Sequence, residues 1–140
     1  MAQTGFFEYK VEWNDGDMLE VKTEFSNGRY SGSNNTYDSA AAIHKFAIEV
    51  LDFYTKKEPI EYRLGIQNEY SYLSLNVYFA EPRGIIGIKI NSEDNIYNYK
   101  NPASRSILQL EILTEIEELQ RFAQQLMSLS VNRRGIARIN

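Results

Sequence analysis

Between Tyr72 and Ile90 the chain reads YLSLNVYFAEPRGIIGIKI, and this stretch limits the possible folds more than any other. Leu73, Leu75, Val77 and Phe79 alternate with Ser74, Asn76 and Tyr78; after the turn signal EPRG, Ile86, Ile88 and Ile90 alternate with Gly87 and Lys89. A two-residue period sends one set of side chains to a buried face and the other to a wetter one. A connection this short joins antiparallel neighbours, because a parallel crossover needs a dozen or more residues. Upstream, IEYRLGIQ puts Ile60, Tyr62, Leu64 and Ile66 on one side, and NEYS turns the chain, which extends the meander by one strand.

The same alternation opens the chain. FFEYKVEW places Phe7, Tyr9, Val11 and Trp13 opposite in sense to Glu8, Lys10 and Glu12, and MLEVKTEF does so for Leu19, Val21 and Phe25 against Glu20, Lys22 and Glu24. With NDGD between them, the two runs form a hairpin with one wet face. Matching apolar to apolar requires Val11 opposite Val21 and Trp13 opposite Leu19, since a one-residue slip reverses every side chain. That register leaves Asp15, Gly16 and Asp17 as the loop but sets Glu12 against Glu20 and Lys10 against Lys22. Opposed like charges are unfavourable, so either a bulge interrupts the pair or the strands are not simple neighbours.

Two stretches change to a helical period. In YDSAAAIHKFAIEVLDFYTKK, the residues Ile43, Phe46, Ala47, Val50, Leu51 and Tyr54 form one apolar stripe. Asp38 or Ser39 caps its start, Lys56 and Lys57 suit its negative end, and Pro59 stops it. Near the C-terminus, ILQLEIL alternates as a sixth strand. Thr114 and Glu117 then have capping-box spacing, with Leu113 placed as a staple. Ile116, Leu119, Phe122, Ala123, Leu126 and Met127 give the second apolar stripe. The polar stretch NSEDNIYNYKNPASR is the longest irregular one.

The expected order is β-β-α-β-β-β-β-α. It predicts an α+β domain: a single antiparallel sheet of about six strands with two helices packed on one face and the other face largely exposed. Residues 1–131 make one domain. Residues 132–140, with Arg133, Arg134 and Arg138 and no acid, form a basic tail or a short terminal strand, GIARI.

Composition excludes several classes. The chain has 140 residues, enough for one core, and no cysteine, so it has no disulfide framework, thiolate zinc site or cysteine nucleophile. MAQTGFFEYK lacks the features of a signal peptide, and no apolar run is long enough to span a membrane, so a soluble, cytoplasmic protein is expected. A net charge of −4 argues against a nucleic-acid partner.

The stretch most suggestive of chemistry is NGRYSGSNNTYDSAAAIHKF, residues 27–46. A phosphate-binding Walker loop needs G-x-x-x-x-G-K-[ST]. Gly28 and Gly32 are one residue too close, and Ser33 stands where the lysine belongs. The stretch therefore reads as a strand end, a polar loop over residues 31–39 and a helix cap. The sole histidine, His44, sits at the edge of the helical stripe. With Tyr37, Asp38 and Ser39 nearby, it defines the alternative reading of a small enzyme or ligand-binding domain. One histidine without cysteine is a poor start for a metal site. Asp15 and Asp17 lack a calcium loop, and Glu111, Glu115, Glu117 and Glu118 suit a helix N-terminus. No cofactor, metal ligand or catalytic residue is expected.

Tyrosine is abundant, with ten residues. Tyr70, Tyr72 and Tyr78 cluster at one hairpin, while Tyr97 and Tyr99 lie in the long irregular stretch. Rigid, amphipathic rings suit an interface, so these five are the candidate interaction surface. The pattern MLEVKTEFSNGRYSG, IHKFAIEVLDFY, YLSLNVYFAEPRGIIGIKI and LQLEILTEIEELQRFAQQLMSL, over residues 18–129, resembles small bacterial immunity proteins of the WapI type. That resemblance implies a non-enzymatic, stoichiometric binder that occludes a toxin, and it transfers no functional residue. Self-association through the exposed sheet is the remaining alternative.

Overall fold

The computed structural model of the chain describes residues 5–16, 18–67, 70–95 and 105–140. The elements are β1 (Phe6–Asn14), β2 (Leu19–Ser26), β3 (Ser31–Asp38), α1 (Ala40–Lys56), β4 (Ile60–Gly65), β5 (Ser71–Glu81), β6 (Ile85–Asp94), β7 (Ser106–Glu115), α2 (Ile116–Asn132) and β8 (Gly135–Ile139). They form an α+β fold, but with two antiparallel sheets of four strands each, ordered β3-β2-β1-β8 and β4-β5-β6-β7. The expected single sheet of six strands is therefore replaced by two. The β4–β7 meander is one complete sheet, and the N-terminal hairpin gains a strand on each side, from the 31–38 segment and from GIARI.

The hairpin contains a bulge. Val11 pairs with Val21 as parity requires, but the register shifts between Val11 and Trp13, so Trp13 faces Glu20 and Asn14 faces Leu19. The extra residue removes the expected Glu12–Glu20 opposition. Lys10 still faces Lys22 and Glu8 faces Glu24. Lys22 bonds Glu24 at 3.2 Å, and Arg138 of β8 reaches Glu8 at 3.3 Å. Such surface pairs are worth ~0–1 kcal/mol, comparable with the repulsion they offset.

The helices start where sequence and geometry agree only in part. The Ser39 hydroxyl accepts the Ala42 N–H at 3.2 Å and caps α1. Its buried stripe is Ile43, Phe46, Ala47, Val50 and Phe53. Leu51 and Tyr54, expected in the stripe, are exposed, because the Phe53 ring takes the inward position by stacking on Phe79 at 4.7 Å. At α2 the expected capping box does not form. Thr114 is still in β7, and its hydroxyl donates to the Asn140 carbonyl at 2.7 Å. Leu113, the expected staple, is exposed.

An aromatic column joins the two sheets through both helices. Phe7 of β1 meets Phe122 of α2 edge-on at 6.0 Å; Phe122 meets Phe46 of α1 at 6.4 Å; Phe46 stacks on Tyr62 of β4 at 4.1 Å. The C-terminal residues complete the first sheet: Ala137 and Ile139 are buried, and the Gln125 side chain of α2 accepts the Arg138 N–H at 2.8 Å. Arg133 donates to the Gly16 carbonyl at 2.6 Å, tying the hairpin tip to the α2–β8 turn.

Candidate cleft between β3 and the β4–β5 turn

The 31–38 segment, expected as a polar loop, is the strand that positions the site. Its inward row is Gly32, Asn34, Thr36 and Asp38, and these meet the second sheet strand by strand. Gly32 packs against Leu108 of β7 so closely that a Cβ there would stand 2.6 Å from Leu108 Cδ2. The Asn34 amide donates to Ser92 Oγ (2.8 Å) and the Glu93 carbonyl (3.3 Å) on β6, and to the Tyr72 carbonyl (2.9 Å) on β5. Asp38 reaches β4. β3 thus lies across the second sheet, as in orthogonally packed sheets.

Asp38 is the pin of this crossing. Its Oδ2 accepts hydrogen bonds from both Tyr9 of β1 and Tyr62 of β4, each at 2.5 Å, and its Oδ1 accepts the Ser39 N–H at 2.8 Å. Burial raises the Asp38 pKa above the usual aspartate value, while the bonds from Tyr62, Tyr9 and Ser39 pull it back in part. Burial, and then the Asp38 charge, raise both tyrosine pKa values well above the usual phenol value. A second buried acid, Glu93, is held by Arg105 at 2.9 Å, Asn95 at 3.1 Å and Gln67 at 3.4 Å. Both clusters act as polar fasteners, since a buried carboxylate is stable only with its hydrogen bonds made.

Pinned in this way, β3 presents its outward residues beside the β4–β5 turn. Register places Trp13, Glu20 and Tyr37 side by side across β1, β2 and β3. Past the β3 edge, Gly65 turns the chain at φ 79°, and Tyr70 returns it at φ 25°, its carbonyl accepting the Asn95 N–H at 2.8 Å. Positive φ at a tyrosine is strained backbone held in place by its surroundings. The result is a cleft of ≈ 540 Å³ lined by Glu20, Thr36, Tyr37, Ile66, Tyr70 and Ser71, among others. Three of its walls are large side chains left in solvent: Tyr37 is 58 % exposed, Ile66 65 % and Tyr70 73 %. Thr36 is 3 % exposed, and its hydroxyl has no hydrogen-bond partner among the described residues.

The candidate residues divide. Tyr70 belongs to the cleft. Tyr72 is buried at 6 % exposure and offers no free surface. Tyr78 is half-buried: its ring covers Gly87 on the neighbouring strand, with Lys89 Nζ 5.2 Å from the ring centroid. Tyr97 and Tyr99 lie outside the described residues, as does Asp17. His44 is exposed on α1 and makes no hydrogen bond to any described residue, while Asp38 faces the interior. Asp15 accepts the Met18 N–H at 2.8 Å within the hairpin turn. Among the described residues, no group of three His, Cys, Asp or Glu is placed to hold a metal ion, and no helix is long and apolar enough to cross a membrane.

Sequence reasoning missed Glu20 and Ile66 as site residues, and it named Tyr37 only beside His44 in the 31–39 segment, whereas Tyr37 lines the cleft and His44 does not. The signal for Tyr37 was its parity within SGSNNTYD, where Thr36 and Tyr37 favour a strand; the polar residues around it masked that signal. Fold and cleft together define an α+β protein of two crossed antiparallel sheets with an aromatic-walled cleft at their junction. Comparison with protein-family models, with curated proteins and with solved structures found no match.

Proposed function

We propose that the protein is a non-enzymatic binding module that docks a partner protein at the cleft between β3 and the β4–β5 turn. The observation that carries this reading is the convergence of Tyr37, Ile66 and Tyr70, all more than half exposed, around a cavity large enough for an anchoring side chain. Exposed aromatic anchors around a pocket are the arrangement from which interface hot spots are built. The resemblance to WapI-type immunity proteins supplies the partner class, a bacterial toxin occluded in a stoichiometric complex. The wet outer face of the first sheet, with Glu and Lys alternating along β1 and β2, would form the rim.

The test is co-purification from the native cell, with wild type compared against Tyr37→Ala, Tyr70→Ala and His44→Ala. The binding reading expects a partner retained by wild type and by His44→Ala and lost from the two tyrosine variants. Loss on changing His44 alone would support the small-enzyme or ligand-binding alternative instead.

A further inference from the structure

The cleft has an unmatched charge. Glu20 is half-buried on the outward face of β2, between Trp13 of β1 and Tyr37 of β3, and forms no ion pair among the described residues. Lys22, the next cation along its face, is bonded to Glu24 at 3.2 Å. Asn35, Thr36 and Ser71 complete the lining; the Thr36 hydroxyl itself points to the buried face of β3. The cleft therefore combines a carboxylate, aromatic faces at Tyr37 and Tyr70, and an aliphatic wall at Ile66.

We propose that this cleft is an arginine subsite, receiving the side chain of an arginine on the partner protein. The inference rests on the docking reading above and names the group that docks. A guanidinium is planar and stacks on an aromatic face, and it presents five N–H donors in a fork that fits a carboxylate bidentately. Its methylene stem packs on apolar surface such as Ile66 while the head remains polar. Glu20 supplies the carboxylate, and Tyr37 and Tyr70 supply the faces. An anionic group would meet Glu20 unfavourably, and a purely aliphatic one would cover Glu20 without satisfying it.

The 140-residue chain is titrated with a blocked pentapeptide, acetyl-Gly-Ala-Arg-Ala-Gly-amide, and with its citrulline counterpart, which keeps the shape and removes the charge. Amide NMR shifts and the fluorescence of the single tryptophan, Trp13 beside Glu20, are read together. The arginine peptide should shift residues 20, 36, 37, 66 and 70, and salt should weaken it. Citrulline, Glu20→Gln and Tyr70→Ala should each cost about tenfold in affinity, the order expected for loss of one charge-assisted contact. Equal binding of citrulline, unchanged affinity in Glu20→Gln, or shifts mapping elsewhere would overturn the assignment. Should Glu20→Gln disturb the spectrum beyond the cleft, Tyr70→Ala carries the test. Loss of the native partner in Tyr37→Ala and Tyr70→Ala but not in Glu20→Gln would leave docking intact and remove the arginine. Peptide binding without any partner effect would do the reverse.

Discussion

Replacing Asp38 with alanine should cost about 2–4 kcal/mol. The carboxylate accepts the hydroxyls of Tyr9 and Tyr62 and the N–H of Ser39, all with short, well-formed bonds. Alanine leaves the buried Tyr9 hydroxyl and the half-buried Tyr62 hydroxyl without an acceptor, and an orphaned buried group costs about 1–3 kcal/mol. Removing a buried carboxylate whose charge burial disfavours returns part of that cost, hence the lower half of the summed range. With a urea m-value of about 1–3 kcal/mol per molar, the midpoint should fall by roughly 1–2 M, read by far-UV circular dichroism. Asp38→Asn keeps an acceptor and should fall between the two. Tyr9→Phe and Tyr62→Phe should each cost about 1 kcal/mol, and each should lose most of that cost in an Asp38→Ala background. A cost below 1 kcal/mol for Asp38→Ala, or full additivity with the tyrosine changes, would refute the view that this carboxylate pins β3 to the second sheet.

Other consequences follow from the same geometry. Since burial raises the native Asp38 pKa above the ordinary 3.8, its contribution is fully present below 3.8 and is lost as pH rises through the native value. Urea midpoints of wild type minus Asp38→Asn should therefore decline across that window. Tyr9 and Tyr62 resist ionisation in the native state, so stability should also drop as pH rises past the ordinary tyrosine value of 10.0, less steeply in Tyr9→Phe. Gly65→Ala should cost about 1–3 kcal/mol, because φ is 79° there and the new Cβ would collide with the Ser71 carbonyl; NMR shifts should concentrate at Ile66 and Tyr70. Ile139→Ala should cost about 2–4 kcal/mol by denaturant melt, as for any fully buried aliphatic; a solvated tail would show no change.

How much was legible follows from what each residue faces. The strands from Phe6 to Ser26 and from Ile60 to Glu115 were readable because their inward rows are apolar, and the like-charge conflict at Glu12 and Glu20 signalled the bulge. β3 was hidden because its inward row, Gly32, Asn34, Thr36 and Asp38, is polar and satisfied by tertiary partners that no local pattern encodes. Without β3 and β8 the N-terminal hairpin has no flanking strands, so the sequence pattern alone places it in the meander's sheet. The cleft is hidden for the same reason: local pattern puts Tyr37 in a loop and Ile66, in phase with Leu64, inward, although β4 ends at Gly65. Tyr72 illustrates the opposite error, because its outward parity gave no hint of the neighbours that bury it.

The most direct test of the docking cleft is site-specific photocrosslinking in the native cell. A benzophenone amino acid replaces Tyr70 at the cleft, and Leu51, exposed on α1, serves as the control position. A cleft that docks a partner should give one dominant protein adduct from position 70, none of it from position 51, abolished by Tyr37→Ala. The absence of any adduct at position 70, or the same adduct from both positions, would contradict the account.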